Sequence, residues 1–337
     1  DGVLVSSGTT IQTTTGNVVI RGDASARFGD VSFASGVRVD FSGRIESQTG
    51  TTRLEGVGAG TPGAHATSNT SGVVIQKDAL LRVTGAGRIE IDGDIGSPDN
   101  VTGAGAGVFF LDRANVLADA GGVISVTGRA GTPGVGASIV NAIDIVSSDT
   151  GTNANALTFG LTVSPGINVR AGGATGAISM TGLPAAGTVV QNTHGVVIHG
   201  IGTLVEATGA ATITMVGTGS NTSATNDFAG TRGVAIFDGG RVRAADGAIS
   251  ITGTGGLATP TANDSTGVFL FGAGTSIITT NGAIQITGTG GGTLANPTGQ
   301  RANQHLEVSV RRALRPPQFP NDLHFAEAAY EETRSIF

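Results

Sequence analysis

Apolar residues return along this chain at alternate positions within short phrases, and the phrases themselves return. Stacked, they read GVLV, GVRV, GVVI, GVFF, GLTV, GVVI, GVAI and GVFL, opening at Gly2, Gly36, Gly72, Gly107, Gly160, Gly195, Gly233 and Gly267. The residue after each glycine and the residue two further on are always apolar, from Val3 and Val5 to Val268 and Leu270. The position between them ranges from Arg38 to Phe109. Alternation of this kind predicts a strand with one buried face. A second apolar column follows at Ile11, Ile45, Leu81, Val116, Val169, Leu204 and Val242. It slips by one place to Ile277 in the last repeat, and Val205 offers the same slip in the sixth. A third phrase closes each unit, as in VVIRG, IEIDG, ISITG and IQITG. Its apolar residues lie two and four before the closing glycine, and only Thr52 breaks the column.

The unit is therefore three short strands followed by a loop rich in Gly, Thr, Ala, Asn and Pro. A lone unit cannot bury its apolar face. Stacking like strands about 4.8 Å apart makes a continuous core in which each column becomes a ladder. The pattern predicts an all-β chain, a parallel β-helix (β-solenoid) with three strands per coil and about eight coils. A propeller blade would need four antiparallel strands, and only three phrases recur.

Successive openings are 34, 36, 35, 53, 35, 38 and 34 residues apart. The long interval, from Gly107 to Gly160, reads as an insertion at residues 129–159 that includes IVNAIDI (Ile139 to Ile145) and projects from the body. The repeats fill residues 1–300 as one domain. Residues 301–337 contain no glycine and form a non-repeat tail. Asn321 or Asp322 could cap a helix there running to about Ser335. Three roles are open for the tail: a cap on the last coil, a linker, or unrelated sequence.

Composition narrows the function classes. Glycine supplies 57 of 337 residues and charged residues only 13%, but the 39% hydrophobic content is patterned, which argues against disorder. With no cysteine there is no disulfide, thiolate metal site or cysteine nucleophile. A net charge of −6 without a basic run disfavours nucleic acid. No stretch approaches the roughly 20 apolar residues of a membrane helix. The start at Asp1 rather than Met reads as a mature product or a fragment.

GVAIFDGGRVRAADGAISITGTGG (233–256) and GVFLFGAGTSIITTNGAIQITGTGGGT (267–293) resemble bacterial haemagglutinin-type surface repeats. They are similar to the β-strand-repeat proteins of planctomycetes and cyanobacteria and, more broadly, to autotransporter-passenger solenoids. The resemblance covers about residues 2–293. It implies a right-handed helix, secretion, and adhesion or assembly into a surface layer or fibre. The period near 35 is longer than the roughly 20-residue haemagglutinin coil, because a loop follows each coil.

Candidate chemistry is sparse. Asp92, Asp94 and Asp99 are the best acidic cluster, for a carboxylate pair or for calcium. In the outward column of the third strand, Arg21, Glu55 and Asp92 fall in successive coils. From the fourth coil on it turns neutral, with Thr127, Thr181, Val216, Thr252 and Thr287. Five residues separate His194 from His199, so a strand places them on opposite faces. Arg21-Gly22-Asp23 spells an integrin-recognition tripeptide, and Asn69, Asn100, Asn221 and Asn263 stand in N-x-S/T sequons in the loops. None of these outweighs its plain reading as surface or loop, so no catalytic, cofactor-binding or metal residue is assigned and no cofactor is expected. The sequence reads as a non-enzymatic extracellular or cell-surface rod: an adhesin, fibre or surface-layer building block. Its expected partners are copies of itself, cell surfaces or glycans. A carbohydrate-active β-helix enzyme, lyase or depolymerase, is the alternative.

Overall fold

The computed structural model describes residues 1–25, 34–58, 70–96, 104–131, 139–147, 166–185, 188–189, 193–222, 231–257, 265–291 and 310–312. Among them every regular element is a strand. Three parallel sheets of eight, nine and eight strands run the length of the body, and each coil adds one strand to each sheet. A fourth, two-stranded sheet joins Thr188–Val189 to Asn221–Thr222. This is the three-strand solenoid that the apolar columns predict.

Register follows those columns residue for residue. In the first sheet Val37 pairs with Val73, and Val73 with Val108. In the second, Ile45 pairs with Leu81 and Leu81 with Val116. In the third, Leu54 pairs with Ile91 and Ile91 with Val126. These side chains point inward and belong to one buried apolar cluster extending from Val5 to Ile277. Full burial of such a side chain contributes about 1.5–3 kcal/mol. Repeat six takes the slipped position, since Val169 pairs with Val205 and Val205 is buried.

The fifth coil corrects the sequence reading. Its first-sheet strand is Ile139–Val146, which lies between Ala104–Leu111 and Val196–His199. The run assigned to an insertion at 129–159 is thus a core strand, with Ile143 and Ile145 buried. Ala142 stands where the other coils have their opening glycine, so the phrase lost its marker. GLTV at Gly160 imitated that marker and lies outside the described residues. Three or four residues join the first strand to the second in the other coils, whereas here the chain runs from Val146 to Asn168. The extra length falls inside the fifth coil, not before it.

Two corners explain the remaining sequence constraints. Where the third sheet meets the first, a Cβ on Gly22, Gly56, Gly93, Gly182, Gly217 or Gly253 would overlap the carbonyl oxygen of the next opening glycine, and one on Gly128 that of Ala142. Lack of room, not a left-handed backbone, fixes glycine there. Between the first and second sheets the backbone does turn left-handed, in the second to fourth coils without glycine: Phe41 (φ 43°) and Ser42 (φ 63°), Lys77 (51°) and Asp78 (64°), Asp112 (41°) and Arg113 (64°). Such conformations cost roughly 1–2 kcal/mol per residue. Contacts between neighbouring coils offset this. Arg113 donates two hydrogen bonds to Asp78, at 3.0 and 3.1 Å, and Lys77 Nζ lies 4.3 Å from the centroid of the Phe41 ring. Asp78 in turn holds the Arg113 guanidinium above its usual pKa.

Of the tail, Val310–Arg312 is described. It pairs in parallel with Ser276–Thr279 and supplies the ninth strand of the second sheet. The helix expected from Asn321 lies outside the described residues.

Candidate functional site

The outer face of the third sheet gathers most of the sequence candidates. Side chains alternate strictly on its strands, so every second residue from Val18–Asp23 to Ile284–Thr289 faces solvent. In the first four coils this face is charged. Arg21 and Arg53 both bind Glu55, Arg53 lies 3.8 Å from Glu90, and Arg88 donates to Glu90 at 3.1 Å. Arg129 binds Asp92 from the next coil. The column Arg53–Glu90 stands two residues before the predicted column Arg21–Glu55–Asp92 and interlocks with it.

Glu55, Glu90 and Asp92 thus each meet an arginine, in their own coil or a neighbouring one. The Arg21 guanidinium, with Arg53, holds the Glu55 carboxyl below the usual carboxylate range. Asp94 faces the same way as Asp92, but its Oδ1 accepts the Gly96 backbone N–H at 2.8 Å. Asp99 lies outside the described residues. Among the described residues no group of three His, Asp or Glu side chains could hold a metal ion. The tripeptide Arg21-Gly22-Asp23 sits within a strand. Asp23 accepts the Ser25 N–H at 2.7 Å, and its hydrogen bonds with Ser25 lower its pKa.

From the fifth coil on, the same face carries no charge. Ser179 and Thr181 are followed by Thr212, Thr214, Val216 and Thr218, then Ser250, Thr252 and Thr254, then Gln285, Thr287 and Thr289. Register is kept throughout: Thr181 pairs with Val216, Val216 with Thr252, and Thr252 with Thr287.

The outer face of the first sheet holds a cluster that sequence reading missed. Asp144, nearly buried, lies 3.3 Å from His199 Nε2 and accepts a 2.8 Å hydrogen bond from Asn141 Nδ2. The His199 ring stacks on Phe237 with centroids 4.7 Å apart, and Phe237 pairs in register with the exposed Phe271. Arg232 lies 3.7 Å over the Phe269 ring. His194 is separate, its Nδ1 accepting the Arg232 backbone N–H at 3.1 Å, so the two histidines do not converge. Asp144 belonged to the segment set aside as an insertion, which hid its partnership with His199. Of the sequons, Asn221 is described and its Oδ1 accepts the Leu257 N–H. Asn69, Asn100 and Asn263 lie outside the described residues.

No family model, curated protein or solved structure matches the chain. Fold and surface define a three-sided β-solenoid repeat protein. No helix among the described residues is long and apolar enough to cross a membrane.

Proposed function

We propose that this chain is a stiff extracellular rod with a structural or adhesive role, a building block of a fibre, surface layer or large secreted adhesin. The supporting observation is the unbroken residue-for-residue register of the third sheet over all its strands, joined to a surface whose acids are neutralised by neighbouring arginines. A ladder of this kind makes length and rigidity, and its outward positions are free to carry contacts. Among the described residues, strands Val3–Val5, Thr10–Thr13 and Val18–Asp23 at one end, and Val268–Phe271 and Ile284–Thr289 at the other, have a single neighbour each. Such edges accept further strands and favour end-to-end growth. Fractionation of the source cells with an antibody, together with electron microscopy of the purified chain, tests the reading. Surface-associated or secreted material made of straight rods is expected. Confinement to the cytosol would overturn it.

The carbohydrate-active alternative rests on the charged half of the third sheet. Cleavage of a polysaccharide that is lost in Asp92→Asn would establish it in place of the rod.

A further inference from the structure

The uncharged half of the third sheet repeats one side chain at both outward columns of adjacent coils. Thr252 and Thr254 pair in register with Thr287 and Thr289, so four threonines mark the corners of a rectangle. Its sides are roughly 6.6 Å along the strand and roughly 4.8 Å between coils. Thr218 and Val216 continue both columns into the preceding coil. The four corner threonines are exposed, and among the described residues none of their hydroxyls is taken up by a protein partner.

We propose that this face binds ice, an inference that rests on the adhesive reading above and names its partner. Threonine is β-branched and rotationally stiff on a strand, so each corner offers a hydroxyl and a methyl in a fixed place. Hydroxyls hold water at defined positions, while methyls favour an ordered shell around them. The shorter side lies close to an oxygen repeat of hexagonal ice, and the backbone ladder maintains it along the stack without ordering cost on binding. Other partners fit less well. An anionic polymer needs basic groups, and a sugar ring favours an aromatic platform. The outward positions of Ile249–Thr254 and Ile284–Thr289 carry neither.

The test uses the full chain, labelled with an amine-reactive dye. Lys77 is the single lysine and lies at the corner between the first and second sheets, away from this face. Labelled protein and labelled albumin are presented to a slowly growing ice crystal. The chain is expected to enter the ice several-fold more than albumin. Thr252→Tyr combined with Thr287→Tyr should fall to the albumin level with circular dichroism unchanged; Thr287→Tyr alone, on the last coil, serves if the pair misfolds. Arg53→Gln, in the charged half, should keep the uptake. Exclusion of the parent chain, or undiminished uptake by the tyrosine variants, overturns the inference. Adsorption to crystalline cellulose or chitin with exclusion from ice overturns it and leaves the adhesive rod standing. Adsorption to none of the three likewise overturns it, and the rod is then judged by the fractionation and microscopy above.

Discussion

Between Val18 and Asp94 the third sheet shows solvent an interlocked set of arginines and acids; between Ala177 and Thr289 it shows hydroxyls, a few apolar side chains and one amide. Beneath both stretches lies the same core, with Leu54 and Ile91 in one and Met180, Met215 and Ile251 in the other, all buried in a single cluster. The contrast teaches that in a solenoid the inward and outward columns are set separately. Neighbour packing fixes the inner residues coil by coil, and the backbone ladder holds whatever stands outside. Charge–charge pairing in the first half adds modest stability, because exposed pairs are worth about 0–1 kcal/mol. The hydroxyl half lacks even that and keeps its register nonetheless.

The comparison breaks first at the shared corner. Gly93→Val in the charged half and Gly253→Val in the other each force a side chain against a backbone carbonyl. Both should cost about 3 kcal/mol or more by chemical denaturation. A loss confined to one half would show that the halves do not share one backbone design. Next come the cores. Leu54→Ala and Ile251→Ala should each lose about 2–5 kcal/mol, with Ile286→Ala in the half-buried last coil losing less.

Acid should separate the halves. Glu55 and Asp23 have carboxyls held below their ordinary values, by Arg21 and by Ser25 respectively. A lowered folded-state pKa gives stability that is present above the unfolded value and lost as pH falls through the folded one. Third-sheet amides of the first two coils should therefore lose protection below about pH 4, while those of the sixth to eighth hold. Glu55→Gln should remove most of that difference in a pH series. The smallest effect is expected for Thr252→Val, within about 0.5 kcal/mol of the parent in thermal melts, since its side chain is exposed.

Much of this was legible in the amino-acid order. Alternating Val and Ile columns specify the strands because burial on one face leaves no other period. The hydroxyl column from Thr127 to Thr287 could be read directly, since outward positions follow once inward ones are known. The fifth coil was misread because its marker is Ala142 and a glycine-led apolar phrase occurs at Gly160. The turns at Phe41, Lys77 and Asp112 were invisible, since a left-handed backbone without glycine leaves no local signature and is supported by the next coil. Arg53 with Glu90 was missed for a related reason: two outward columns interlock, and a single column shows only half of the pairs.

Peptide-resolved hydrogen exchange, corrected for intrinsic rates and run at neutral and acid pH, tests one ladder bearing two surfaces most directly. Strands Thr51–Val57 and Thr212–Thr218 should be comparably protected at neutral pH, and acid should weaken the first selectively. Loss of protection in either strand at neutral pH, or equal weakening of both in acid, would contradict it.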